Sequence, residues 1–244
     1  MAVPYTLTTV RPVQLGLVVL QADETLERDM RHLLPLSTEM LVSRVASGVE
    51  LDRQMITQMQ GKLTAAAELL PRGAGFGAVA YGCTSATAQI GARQVAGLIK
   101  KGVATDHVTD PVTSLVAACA ALNIRTLGLI TPYIATISNQ LRQVLEEAGI
   151  NVIRLLSFEE SLEENVVRIS ADSIIDAAVE MGRSTACEAV FLSCTNLRTL
   201  DIIDAIERKI NKPVLSSNQV LAWHLMQLAN VAPPAGLPGR LWLS

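Results

Sequence analysis

The chain is short of aromatic residues, of excess positive charge and of long apolar runs, and each shortage removes a class of function. It has three Phe, three Tyr and two Trp in 244 residues, 20 Lys+Arg against 23 Asp+Glu, and a formal net charge of −3. That leaves little with which to stack bases or follow a phosphate backbone, so no nucleic acid partner is expected. No apolar stretch reaches the ~18–20 residues of a membrane span. Asn123 and Arg125 interrupt the longest one, residues 111–135, and no membrane partner is expected. Residues 13–20 have the length of a signal h-region, but only Arg11 precedes them and no small-residue cleavage site follows, so they read as a strand. Cys83, Cys119, Cys187 and Cys194 show neither CxxC spacing nor the density of a disulfide scaffold, so free thiols in a reducing cytoplasm are expected. His32, His107 and His224 lack ligand spacing, and no metal site is expected.

What is present is a large apolar fraction, half of all residues, in a chain long enough to bury a core without metal or disulfide. Short β-branched runs at residues 14–20, 40–44, 77–82, 126–131, 152–155 and 189–193 alternate with helical patterns. This is the pattern of a parallel sheet wrapped by helices, the α/β class. Residues 49–70 place Leu51, Met55, Ile56, Met59, Leu63 and Leu70 at helical spacing, and residues 162–181 do the same with Val166, Ile169, Ile174, Ile175, Ala178 and Met181.

An internal repeat organises these elements. The run beginning at Leu15 matches that beginning at Leu127 at an offset of 112, and Ala78 to Ser85 matches Ala189 to Asn196 at an offset of 111. Two matches at nearly one offset argue for duplication. The chain therefore divides into a first α/β domain, residues 1–112 plus 213–244, and a second, residues 113–212, with the tail returning to the first half.

Cys83 and Cys194 occupy equivalent repeat positions, each where a strand is expected to end and a helix to begin. Free N–H groups and the helix dipole there favour a thiolate and lower its pKa. The same N–H groups, with the hydroxyls of Thr84, Ser85 and Thr195 and the amide of Asn196, form a nest suited to a carboxylate. Ligands of open α/β sheets bind beyond the carboxyl ends of the strands, so two facing halves would place both thiols on one cleft. A thiol on either side of a carbonyl compound moves a proton from one face of a carbon to the other without a cofactor. Cys119 and Cys187 fall inside helical stretches and read as core residues.

At these residues the sequence resembles the aspartate/glutamate racemase superfamily, in the branch that holds maleate cis-trans isomerase, arylmalonate decarboxylase and the ectoine-utilisation protein A group. The motifs are LGLVVLQADETLE from Leu15, GCTSAT around Cys83, Thr131-Pro132-Tyr133, SCTNLRT around Cys194 and Ser217-Asn218-Gln219. The resemblance implies two pseudo-symmetric Rossmann-like (flavodoxin-like) three-layer domains with parallel sheets, an active site in the interdomain cleft and no cofactor. It further implies that Cys83 is the nucleophile or first base, that Cys194 is the acid, and that Tyr133 and Asn165 bind or polarise a substrate carboxylate. Self-association is ordinary for such a fold, so a homo-oligomer is expected. Arylmalonate decarboxylases keep only the second-half cysteine, whereas this chain keeps both, which favours an isomerase or racemase of a small carboxylate.

One departure concerns substrate. Maleate isomerases resemble SSNTTxE after the first strand, where this chain has Gln21-Ala22-Asp23-Glu24-Thr25-Leu26-Glu27. An ionised Asp23 would repel a dicarboxylate, and the wording is most similar to the ectoine-utilisation group, whose substrate would be a nitrogen-bearing carboxylate. Asp23 also fits a helix N-cap. Three readings remain: the isomerase, a decarboxylase that depends on Cys194 alone, and a non-catalytic carboxylate-binding module. Gly73-Ala74-Gly75-Phe76-Gly77-Ala78 precedes a strand instead of following one, so it is not read as a dinucleotide loop. Gly61-Lys62-Leu63-Thr64 reads as a solvated helix segment, and Arg198 as a carboxylate clamp or a surface ion pair on a helix after Cys194.

Overall fold

The computed structural model describes residues 1–48 and 53–243; the start of the helical pattern expected from residue 49, Leu51 included, lies outside the described residues. β1 (Val13–Leu20) is buried from Gln14 onward, as befits a central parallel strand covered on both faces. It pairs in parallel with β2 (Thr38–Val45) and β3 (Phe76–Gly82), and β3 pairs with the short β4 (Val108–Thr109). In the second half β5 (Thr126–Thr131) lies between β6 (Asn151–Ser157) and β7 (Ala189–Leu192), and β7 pairs with β8 (Val214–Ser216). Among the described residues the strands form two four-stranded parallel sheets, β2-β1-β3-β4 and β6-β5-β7-β8. The two orders are the same, and the sequence repeat lays β1 on β5 and β3 on β7. β4 and β8 escape the sequence because two or three residues are too few to show a period of two.

In chain order the helices are α1 (Leu26–Leu33), α2 (Arg53–Gln60), α3 (Leu63–Ala67), α4 (Thr84–Ile90), α5 (Ala92–Gly102), α6 (Pro111–Ala121), α7 (Ala135–Glu147), α8 (Glu163–Val166), α9 (Ala171–Gly182), α10 (Ile203–Ile210) and α11 (Ser217–Leu228). Met55, Ile56, Met59, Leu63 and Leu70 are buried as their spacing requires. The two long helices expected from that spacing are nevertheless broken. Gly61 and Lys62 form a turn between α2 and α3, where glycine's helix cost is felt, so Gly61-Lys62-Leu63-Thr64 is a turn and a new helix start. Residues 162–181 divide into α8 and α9, and Ser170 Oγ accepts from Ser173 N at 3.2 Å to begin α9 afresh.

α6 holds the most apolar stretch of the chain. It is capped by Asp110, whose Oδ1 accepts from Val112 N and Thr113 N at 2.9 Å, with Pro111 in the first turn. It ends at Ala121, and no described helix is long and apolar enough to cross a membrane. Beyond Pro213 the chain divides its contacts: β8 extends the second sheet, and α11 packs against α6, β3 and α1.

The approach of α5 to α3 depends on Gly102. A Cβ there would lie 2.4 Å from the Thr64 carbonyl oxygen, 2.7 Å from Ala67 Cβ and 3.0 Å from Glu68 N, mostly backbone that cannot turn aside. Gly102→Ala is expected to cost about 1–3 kcal/mol, read as a lower urea midpoint at unchanged m. An unaltered midpoint would show that α3 gives way freely.

Candidate active site

The two sheets present the ends of β3 and β7 to one another. β3 is buried to its last residue and delivers Cys83 as the N-cap of α4. The Cys83 sulfur accepts from Ala86 N at 3.4 Å and lies 3.5 Å from Ser85 Oγ. β7 delivers Cys194 differently. No helix follows it directly; the chain turns irregularly through residues 195–199 before a 3-10 turn and α10. The helix N-terminus expected at Cys194 is therefore absent, and Arg198 sits on this irregular loop. Cys194 itself has φ of +109°, left-handed backbone that a non-glycine residue holds at a cost of order 1–3 kcal/mol.

Hydroxyls join the two turns. Cys194 N donates to Ser217 Oγ at 3.0 Å, and Ser217 Oγ meets Thr84 Oγ1 at 2.9 Å, so the starts of α4 and α11 and the end of β7 share one oxygen. Thr195 Oγ1 donates to the Gly82 carbonyl, next to Cys83, at 3.4 Å. The Tyr133 hydroxyl accepts from Ser193 Oγ at 3.4 Å and lies within electrostatic reach of both Cys194 and Cys83, while the Tyr81 hydroxyl donates to Met59 Sδ at 3.6 Å and lies within reach of Cys83. Cys83, Cys194, Tyr133, Thr84, Ser85 and Thr195 are thus brought into one buried cluster.

Asp23 and Asn196 stand beside it. Asp23 Oδ1 accepts from Thr25 N at 2.9 Å and Leu26 N at 2.8 Å, the helix-cap arrangement at the start of α1. Its Oδ2 is buried without a hydrogen-bond partner; the nearby Thr195 hydroxyl, which donates to Gly82, and the charge of Arg44 both act against the rise that burial causes. Asn196 spends its amide on structure: Oδ1 accepts from Glu24 N at 2.9 Å, and Nδ2 donates to Glu163 Oε2 at 2.8 Å and Glu163 O at 3.3 Å.

Asn165, on α8, is only half-buried, and its side chain lies near Glu160 and not in the bonds of the cluster. Glu163 enters in its place, buried at the start of α8 and acting electrostatically on both thiols. The sequence carried a signal for it. With Val166 on the core face, the residue three positions earlier shares that face. Tyr81, Ser217 and Asn218 also belong here. Asn218 Nδ2 donates to Asp29 Oδ2 at 2.8 Å and to Thr195 O at 2.9 Å.

Burial dominates the electrostatics. It pushes the Cys83 thiol up to about 12, against the bonds from Ser85 and Ala86 and with help from the negative charge of Glu163 and Asp23. Cys194 is pushed well above the ordinary range by burial and then by Glu163, although the Asn196 N–H and the Tyr133 hydroxyl oppose the shift. The lowered thiol pKa expected from strand ends is overturned, because desolvation outweighs a few N–H groups. Burial likewise raises Asp23, lifts Glu163 to about 7 against its bond from Asn196, and lifts Asp29 to about 6 against its bond from Asn218. Outside the cluster, a groove of about 750 Å³ is lined by Glu24, Glu164, Arg168, Arg198 and Asp201, among others.

These carboxyls give stability a direction with pH. Glu163 and Asp29 hold their protons above the ordinary 4.5 and 3.8, so the stability they contribute is complete below those values and is lost as pH rises through about 6 and about 7. The urea midpoint is expected to fall from pH 5 to pH 7.5. Glu163→Gln is expected to flatten part of that fall, a difference of about 3 kcal/mol at most. A midpoint that rises over this range would show both carboxyls ionised in the folded protein.

An arylmalonate decarboxylase family profile matches residues 15–242. The chain is 28% identical over 118 residues to arylmalonate decarboxylase of Bordetella bronchiseptica, 48% of this chain and 49% of that protein. It is 23% identical over 145 residues to maleate isomerase of Nocardia farcinica, 59% of this chain and 57% of that protein. The sequence match thus spans about half the length of these curated relatives. Among solved structures, maleate isomerase from Pseudomonas putida S16 superposes with a TM-score of 0.82 at 19% identity, covering 95% of this chain and 98% of that one. A cysteine variant of the Nocardia farcinica maleate cis-trans isomerase, with a covalently bound succinylcysteine intermediate, superposes with a TM-score of 0.83 at 20% identity and the same coverage. These structures share the two-domain fold, and the family match runs from β1 to the final turn of the chain. The chain belongs to the arylmalonate decarboxylase family, in the branch of the aspartate/glutamate racemase superfamily that also holds the maleate isomerases.

Proposed function

We propose that the chain is a cofactor-independent isomerase of a small carboxylate, either a racemase or a cis-trans isomerase, that uses Cys83 and Cys194 as a paired acid/base or nucleophile. The observation that carries this reading is the convergence of two thiols, from equivalent strands of the two halves, beside one tyrosine hydroxyl. One sulfur takes a proton from a substrate carbon, or adds to it, and the other thiol supplies a proton. The succinylcysteine intermediate of the Nocardia farcinica enzyme supports the nucleophilic version.

At rest both thiols are protonated, because burial outweighs their local stabilisation. The groups that favour a thiolate are already in place: Ser85 and the Ala86 N–H at Cys83, and the Asn196 N–H and Tyr133 at Cys194. Thiolate formation therefore belongs to the liganded site. The N–H groups that open α4, with Thr84 and Ser85, supply the donors for a substrate carboxylate. Cys83 and Cys194 are 4% and 5% exposed, so substrate entry requires the seam between the halves to open. The four free, buried cysteines suit a reducing, cytoplasmic setting.

A decarboxylase is the second reading, favoured by the family profile and by the Bordetella bronchiseptica relative. Proton NMR in D2O with aspartate, glutamate, maleate and an arylmalonate separates the two. The isomerase reading expects loss of an α-proton signal, or conversion of the maleate vinyl signal to that of fumarate. Either Cys83→Ser or Cys194→Ser should slow it by about 10²–10⁴-fold. Release of carbon dioxide that survives Cys83→Ala and is abolished by Cys194→Ala would instead make the chain a lyase, and turnover unaffected by both changes would remove the thiols from the chemistry.

A further inference from the structure

Cys194 holds φ at +109°, and two consecutive residues of α11 grip the chain on either side of it. Ser217 Oγ accepts from Cys194 N at 3.0 Å, and Asn218 Nδ2 donates to the carbonyl of Thr195, the next residue, at 2.9 Å. Return of φ to the ordinary negative range would swing these two peptide groups apart and break at least one of the bonds. Asn218 is 1% exposed, and its other amide hydrogen goes to Asp29 Oδ2 on α1, at 2.8 Å. A simple tie between α1 and α11 would need only that second bond; the first is spent on the backbone beside the thiol.

The amide is held in one sense. Turned over, it would set Asn218 Oδ1 against a carboxylate oxygen and a carbonyl, three acceptors in the interior with no donor among them. Oδ1 has no hydrogen-bond partner where it stands, so the two donated bonds fix the orientation. Asp29 is fully buried; its Oδ1 lies 3.8 Å from Arg28 Nη1 without a hydrogen bond, which leaves Asn218 as its hydrogen-bond donor among the described residues. Resting on the two-thiol reading of the same site, the geometry points to Asn218, oriented by Asp29, as the positioning residue that imposes the left-handed backbone of Cys194 and thereby fixes where its sulfur stands against Cys83. Asn218 acts through the Thr195 peptide and not on the sulfur.

An exchange of the two side chains separates the two duties. In the Asp29→Asn, Asn218→Asp double variant an amide on α1 donates to a carboxylate on α11, so the helices stay tied, while the Thr195 carbonyl loses its donor. At pH 8, above the value of about 6 to which burial lifts Asp29, a carboxyl group at this place is ionised and donates nothing. With carbon-13 labelled cysteine incorporated, the four Cα resonances, assigned by Cys→Ser variants one at a time, report backbone torsion cysteine by cysteine. In the exchanged variant the Cys194 resonance is expected to move while those of Cys83, Cys119 and Cys187 stay in place. The urea midpoint supplies a second reading: Cys194→Gly should raise it in the otherwise unaltered chain, and by no more than about half as much in the exchanged variant, whose backbone has already relaxed. A Cys194 resonance unmoved by the exchange, four resonances that move together, or the same gain from glycine in both backgrounds overturns the assignment. Should the exchanged variant fail to fold, Asn218→Ser, which removes both bonds, is read by the same measurements with the same outcomes. Neither measurement involves turnover, so loss of this assignment is distinguishable from loss of the isomerase reading, which the D2O spectra decide.

Discussion

Two domains that share neither a sheet nor a disulfide must be kept in register by side chains, and here one amide carries much of that duty. Asn196 accepts from Glu24 N through Oδ1, donates to Glu163 through Nδ2, and accepts from the Thr25 hydroxyl at 2.9 Å through its backbone carbonyl. The turn after β1, the turn after β7 and α8 therefore meet at a single residue. Each of these bonds is buried or nearly so, where a partner left unpaired costs about 1–3 kcal/mol. Ser217 repeats the device on the other side of the thiols. The position of Cys83 against Cys194 follows from these ties and not from packing alone.

The same enclosure sets the chemistry. A thiol at the surface of a helix start would be partly ionised, but the closed seam takes both sulfurs out of water, and desolvation prevails over the nearby N–H groups. A low-dielectric pocket makes each hydrogen bond to a forming thiolate count for more, provided the charge appears only when substrate is present. Asp23 and Glu163 sharpen this condition, since their ionisation discourages a thiolate and their protonation permits it. Charge in the site is thus conditional on what occupies it.

The halves, their strands and the two strand-end cysteines were legible because duplication wrote them twice and because central parallel strands are apolar without interruption. β5 lies where its residues predict, and β1, β3 and β7 differ from expectation by one residue at an end. What could not be read was asymmetric. The repeat suggested a helix after both cysteines, yet only Cys83 has one, because the residues after Cys194 are drawn into bonds with the first half. The spacing of residues 162–181 suggested one helix and did not show the break between α8 and α9, although Glu163, three positions before Val166, could be read on the core face. Those features depend on tertiary partners that no local pattern records.

The left-handed backbone at Cys194 has its own consequence. At φ of +109° glycine would be the residue of least strain, so a chain drifting under selection for stability alone would lose its side chain there. Under the proposed function the sulfur there trades stability for chemistry, and a library sorted only for heat resistance should exchange this cysteine for glycine.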